Sequence, residues 1–240
     1  MRLDVFLAEN GYVSSRTEAK SFIVGEAVKI DGKLITKPSF DVCEQSVVEI
    51  DKSFKKYASR GGLKLEAALD AFGVTVSGKR AIDIGASSGG FTDCLLKHGA
   101  SSVIAVDSGT AQLVPSLMAD ERVTCIENYN ARYLSPDDIP YVPELAVMDV
   151  SFISATYIIK SVFDILSADG DFICLIKPQF EVGKANVGKG GIVKSEKVRE
   201  EARLQVIAFA KSVGFEFIDS IVSPIAGGDG NVEYLAYFKK

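Results

Sequence analysis

Apolar residues along this chain change period twice, and the changes outline its organisation. In RLDVFLAENG, Leu3, Phe6 and Leu7 share one face of a helix that Gly11 ends. SSRTEAKSFIVGE predicts a second helix, with Ser15 as N-cap and Glu18 three residues on, the capping-box spacing. AVKIDGKLI then alternates about Asp31-Gly32, a two-residue hairpin signal, and SVVEI adds a further strand. The polar stretch DKSFKKYASRGG follows, and a linker is expected at about residues 51–60.

From Gly62 onward helical and strand-like segments alternate. LKLEAALDAFG reads as a helix, and RAIDIG, SSVIAVD, VTCIE, ELAVMDV and DFICLIK as short buried strands with helical stretches between most of them. Repeated βα alternation predicts a doubly wound α/β parallel sheet whose ligands lie beyond the strand C-termini. The ending differs. GFEFIDSIVSPI, a glycine-rich AGGDGN turn and VEYLAYFK predict two antiparallel strands. The expected units are residues 1–60, a small α+β head, and residues 61–240, the α/β body.

Charge sharpens this division. The chain of 240 residues carries a net charge of −5. Residues 1–60 hold 10 Lys/Arg and 9 Asp/Glu, against 17 and 23 in residues 61–240, so a near-neutral head precedes an acidic body. That balance argues against nonspecific nucleic-acid binding by the whole surface. No apolar run approaches a membrane span and acids interrupt the N-terminal apolar stretch, so a cytoplasmic protein with no membrane partner is expected. Cys43, Cys94, Cys125 and Cys174 lie far apart and read as buried small hydrophobes, with no metal site. The single histidine, His98, reads as a helix-end residue, so catalysis must run on lysine, carboxylates or a cofactor.

AIDIGASSGGFTDCLL places Gly85, Ala86, Ser87, Ser88, Gly89 and Gly90 between a strand and a helix. Such a loop suits a tight βα turn, or a ligand approaching the backbone at a helix N-terminus. Asp107 ends the next strand 22 residues past Gly85, at the distance of an acid that bonds ribose hydroxyls. A dinucleotide fold would show G-x-G-x-x-G. Here Ala86 or Ser87 replaces the middle glycine, and Asp83 lies just ahead of the loop. That combination and the antiparallel ending fit S-adenosylmethionine better than a nicotinamide dinucleotide, which remains the alternative.

The fourth strand of the body ends in MDVSF, without the Pro-Pro-aromatic run of base N-methyltransferases. The fifth ends in LIKPQFE, setting Lys177 at the ligand edge, where its charge needs solvent, an acid or a substrate. Asp149 and Glu233 are expected within its reach, with Lys64 completing a tetrad; two structural ion pairs are the plain alternative.

In order and strand position, Lys64, Asp149, Lys177 and Glu233 resemble the Lys-Asp-Lys-Glu tetrad of FtsJ-like ribose 2'-O-methyltransferases. SRGGLKLE, DIGASSGGFTDCLL, NARYL, DVSFIS, KPQFE, GKGGIV and GNVEY are similar to the TlyA-type subfamily. RLDVFL, SSRTEAKSFI and VKIDGKLITKP resemble the S-four-type RNA-binding domain. The resemblance spans essentially the whole chain. It implies a Rossmann-like S-adenosylmethionine-dependent methyltransferase sheet with a small α+β N-terminal RNA-binding domain, acting on ribosomal RNA or ribosomal subunits. Lys64, Asp149, Lys177 and Glu233 would be catalytic, with Lys177 on the 2'-oxygen, Asp149 and Glu233 orienting it, and Lys64 steadying the acids or the substrate. Asp83, Gly85, Ala86, Ser87, Ser88, Gly89, Phe91, Asp107, Asn130 and Asp149 would hold the cofactor. Ser88 departs from the Thr of many relatives, and Ala58-Ser59 from the linker tetrapeptide of some.

RNA binding needs a local basic face on this acidic protein. Candidates in the head are Arg2, Arg16, Lys20 and Lys33, with Arg16, Lys20 and the hairpin edge as the RNA-facing strip that the resemblance implies. EVGKANVGKGGIVK, rich in glycine and lysine, reads as a mobile loop placing Lys184 and Lys189 on phosphates. Two other function classes are an RNA-binding module with an inactive body, which the intact tetrad disfavours, and a haemolysin, which the lack of a long amphipathic or apolar span disfavours.

Overall fold

The computed structural model describes residues 1–13, 15–24, 27–51, 56–227 and 230–240. The chain forms two compact units, Met1–Arg60 and Gly61–Lys240. Residues 52–55 of the expected linker and residues 228 and 229 of the AGGDGN turn lie outside the described residues.

In the first unit, α1 (Leu3–Glu9) packs on α2 (Arg16–Val24) beside a three-stranded antiparallel sheet. The strands are β1 (Val28–Ile30), β2 (Lys33–Leu34) and β3 (Val48–Ile50), in the order β2-β1-β3. Ser15 Oγ accepts the Glu18 backbone N–H at 3.1 Å, the expected cap of α2. Asp31 and Gly32 both adopt left-handed angles (φ 50° and 76°), the two-residue turn whose twist matches a hairpin. Leu3, Phe6, Leu7, Phe22, Ile23 and Val28 form the core.

The second unit is a seven-stranded sheet in the order β6-β5-β4-β7-β8-β10-β9. Strands β4 (Arg80–Ile84), β5 (Ser102–Val106), β6 (Val123–Ile126), β7 (Leu145–Met148) and β8 (Asp171–Ile176) are parallel. β10 (Tyr234–Lys239) enters between β8 and β9 (Glu216–Val222) and runs antiparallel to both. β7 and β8 are buried along their whole length, which explains their unbroken apolar runs. The helices are α3 (Gly61–Phe72), α4 (Gly90–Lys97), α5 (Pro115–Met118), α6 (Thr156–Ile165), α7 (Pro178–Glu181) and α8 (Glu196–Val213). His98 caps α4, its Nδ1 lying 2.8 Å from the Cys94 carbonyl.

One expectation needs correction. Cys43 is exposed, while Cys94 and Cys174 are buried and Cys125 is partly so. Its thiol sits 3.2 Å from Ser46 Oγ, and that hydroxyl with nearby backbone N–H groups lowers its pKa. The EVGKANVGKGGIVK segment, expected as a loop, contains single turns of 3-10 helix at Lys184–Asn186 and Lys189–Gly191. Buried Asn231 fastens its far end, donating to the Gly191 carbonyl and accepting the Val193 N–H, both at 2.9 Å. Among the described residues no helix is long and apolar enough to cross a membrane.

Candidate active site

Backbone crowding explains the glycines at the end of β4. Gly85 has φ +86°, and a Cβ there would fall 2.3 Å from the Asp149 carbonyl oxygen. Gly89 (φ +96°) would place a Cβ 2.3 Å from Leu117 and 2.7 Å from Leu113. Between them Ser87 adopts φ +47°, which turns its N–H onto Asp107 Oδ2 at 2.8 Å. Asp107 Oδ1 takes the Gly109 N–H at 2.7 Å. The acid at the end of β5 therefore ties the glycine loop to its own loop. Farther round, Glu127 accepts the N–H groups of Ala111 and Gln112 at 2.7 and 2.8 Å, and these bonds lower its pKa.

These loops enclose a cleft of about 480 Å³ lined by Gly85, Ser87, Asp107, Asn130 and Asp149, among others. Five of the expected cofactor residues thus face it. Ala86, Gly89 and Phe91 are buried beneath the loop, Ser88 is half-buried, and none of the four lines the cleft. Asp83 is also off the surface, fully buried. Thr92 Oγ1 donates to its Oδ2 at 2.7 Å, while Oδ1 has no partner. Burial pushes the Asp83 carboxyl up to about 7, and the nearby Asp149 and Asp107 charges push the same way. Asp107 and Asp149 line the cleft, with Asp83 buried beneath it, so the site is rich in carboxyl groups and suited to a cation.

The tetrad is present as two pairs. Lys177 Nζ lies 2.6 Å from Asp149 Oδ1, a charge contact out of hydrogen-bond alignment, and it donates to Ser151 Oγ at 2.7 Å. Lys64 of α3 donates to Glu233 Oε2 at 2.6 Å, and both side chains are almost wholly buried. Gln179 Nε2 reaches Glu233 Oε1 at 3.4 Å. Glu233 therefore pairs with Lys64 and not with Lys177, because the start of β10 faces α3 across the pair. Lys177 and Glu233 nonetheless line the same second cavity, of about 290 Å³, with Ser151, Phe152, Gln179 and Phe180. Ser151 and Phe152 line both cavities, which therefore adjoin.

Sequence reasoning missed Phe152. It is 92 % exposed, has φ +64°, and its ring lies 5.2 Å from that of Phe180. A bulky residue in the left-handed region is a strained position, held by its surroundings. Glu181 supplies part of that hold: it accepts from Ser154 Oγ at 2.5 Å and from the Ala155 N–H at 2.8 Å, joining the loop after β7 to α7. The available signal was MDVSF itself, where the missing prolines drew attention from the aromatic.

The basic candidates fall on both units. Lys20, Lys33, Lys184 and Lys189 are exposed. Arg2 and Arg16 are also at the surface but both bond Asp4. No cluster of three His, Cys, Asp or Glu side chains among the described residues could hold a metal ion.

Comparison with known proteins accords with this geometry. Residues 57–240 match the FtsJ-like methyltransferase family and residues 1–48 the S4 domain. Hemolysin A of Brachyspira hyodysenteriae is 41% identical over 239 residues, covering 99% of each chain. The 16S/23S rRNA (cytidine-2'-O)-methyltransferase TlyA of Mycobacterium tuberculosis is 40% identical over 239 residues, covering 99% of this chain and 89% of that one. A solved Streptococcus thermophilus structure described as a hemolysin is 41% identical, with a TM-score of 0.80 over 100% of this chain and 88% of its own. An S4 domain ahead of an FtsJ-like methyltransferase domain, shared over 99% of the chain with relatives 40% and 41% identical, places this chain in the TlyA/hemolysin A family of S-adenosylmethionine-dependent methyltransferases.

Proposed function

We propose that this protein methylates the 2'-oxygen of a ribose in ribosomal RNA, with residues 61–240 carrying the chemistry and residues 1–60 binding the RNA. The observation that carries the reading is the Lys177 cavity opening beside the acidic cleft. The cleft fits S-adenosylmethionine: the carboxyl groups of Asp107 and Asp149 suit a cation, and Gly85, Ser87, Asp107, Asn130 and Asp149 are placed to hold it. Bound there, that cofactor supplies an electrophilic methyl group on a sulfonium.

The acceptor hydroxyl is a poor nucleophile and must be aimed. Lys177 contacts its oxygen. An ammonium has three N–H donors; one meets Ser151, a second faces the Asp149 charge, and the third remains for the ribose. Held this way, Lys177 stabilises negative charge developing on the oxygen, while the proton of the hydroxyl passes to solvent as the methyl is transferred. The buried Lys64–Glu233 pair braces the opposite wall through Gln179. Phe152 offers an aromatic face to a base drawn out of its stack. Lys184 and Lys189 approach the RNA from the pinned loop. Such a substrate places the protein in the cytoplasm.

The test is transfer of labelled methyl from S-adenosylmethionine to ribosomal subunits. The modified strand should resist alkaline cleavage at one nucleotide. A strand that still cleaves there, or release of dye from liposomes in place of methyl transfer, overturns the assignment.

A further inference from the structure

The core of the first unit contains a charge. Asp4 sits in the first turn of α1 beside Leu3, Phe6 and Leu7 with no exposed surface. Arg2 grips it with two nitrogens, Nε to Oδ1 at 2.9 Å and Nη2 to Oδ2 at 3.2 Å. Arg16, on α2, adds Nη2 to the same Oδ2 at 3.1 Å. These bonds, that from Arg2 foremost, overcome burial and hold the carboxyl down at about 2. The start of α1 is itself anchored, since Leu3 and Asp4 donate their backbone N–H groups to Phe40 and Pro38.

The arginines, unlike the acid, are accessible: their side chains are 49% and 57% exposed. A guanidinium carries five N–H donors, and Asp4 engages two from Arg2 and one from Arg16. Because both bond one oxygen, two cations that repel each other are held as close neighbours. The trio keeps one net positive charge. A phosphodiester offers one negative charge and two unesterified oxygens, matching a pair of guanidinium edges. Lys20, one turn beyond Arg16 on α2 and exposed, continues the basic strip.

We propose that Asp4 is a positioning residue, a buried carboxylate that sets Arg2 and Arg16 side by side as a clamp for one RNA phosphodiester. This rests on the reading that the first unit binds RNA. The proposal predicts a sign that simple electrostatics does not. Removing an acid near a phosphate raises the local potential and should tighten binding; removing a positioning acid should weaken it.

The experiment measures binding of full-length protein to 16S and 23S RNA transcripts across a salt series, with thermal melting recorded for each variant. Asp4→Asn should weaken binding about tenfold, as expected for a misplaced charge-assisted contact. The salt slope should shrink by about 0.7–0.9. In an Arg2→Gln/Arg16→Gln background the same substitution should change nothing further. Equal or tighter binding by Asp4→Asn, or an equal loss in the double background, overturns the clamp. Arg16→Lys decides the matter if Asp4→Asn does not fold: it keeps the charge but cannot bridge carboxylate and phosphate, so wild-type affinity would overturn the proposal. Wild-type protein that binds neither transcript in a salt-dependent way overturns the RNA reading and the clamp together.

Discussion

The two edges of the large sheet carry the same kind of ion pair and do different things with it. At the edge where β8 begins, Asp171 is met by Lys79 at 2.5 Å, the Tyr237 hydroxyl at 2.6 Å and Lys239 at 3.6 Å. One acid faces three donors, two of them cationic. At the edge where β8 ends, Asp149 has Lys177 at 2.6 Å, but Asp83 and Asp107 stand nearby. There three carboxyl groups gather about one lysine and two cavities open. An ion pair at a strand end is thus not in itself a site. The satisfied edge closes the fold, and the unsatisfied edge awaits a cation and an acceptor.

Lys177→Ala breaks the comparison most sharply. Methyl transfer should fall roughly 10²–10⁴-fold, the range for a positioned acid–base or electrostatic group. Cofactor affinity should stay near wild type by calorimetry. Lys177→Arg should not rescue the rate, because a planar guanidinium misplaces the donor. Wild-type turnover in either variant would remove Lys177 from the chemistry.

Asp107→Ala should act on binding. Loss of its charge-assisted bonds should cost about 1.5–3 kcal/mol of cofactor affinity. Part of that loss passes through Ser87 and Gly109, whose N–H groups Asp107 holds. Unchanged affinity, or tight binding of a nicotinamide dinucleotide, would contradict this role.

Asp83 sharpens the contrast through pH. Burial raises its pKa in the folded protein to about 7, above the usual carboxylate range, so the fold favours the protonated form. Its contribution to stability is fully present below about pH 4 and is lost as pH rises through 7. Asp83→Asn mimics the protonated acid. The melting temperature of the variant minus that of wild type should therefore increase from pH 4 to pH 8. A flat difference would mean that Asp83 is ionised throughout.

The smallest effect belongs to the closed edge. Lys79→Ala leaves Asp171 with Tyr237 and Lys239, so stability should drop by about 1 kcal/mol in a partly exposed pair. Turnover at saturating substrate should not change. A large loss of turnover would erase the distinction between the edges.

How much of this was legible beforehand follows from the range of each interaction. The hairpin at Asp31-Gly32, the Ser15 cap and the five parallel strands depend on neighbouring residues, and the sequence carries them directly. Lys177, Asp149 and Asp107 were legible because a strand end in a doubly wound sheet has a fixed location. Partner choice was not. Glu233 meets Lys64 and not Lys177, Asn231 pins a segment 40 residues earlier, and Asp4 gathers Arg2 and Arg16. Except for the contact between Arg2 and Asp4, each pairing is decided by packing between segments apart in sequence. The left-handed φ of Phe152 is likewise a property of the clamped loop, with no local signature in DVSF.

The insertion of β10 between β8 and β9 has a consequence for the time at which activity appears. Among the described residues β9 pairs with β10 alone, which is made after it. The outer edge of β8 stays open until the same late segment arrives, some 58 residues behind it in sequence (Ile176 to Tyr234). Glu233 travels at the head of that segment. Until β10 is paired, the Lys177 cavity lacks the wall that Glu233 supplies. Such non-local pairing is slow to form. The Lys177 cavity is therefore completed only by a slow pairing of the sheet.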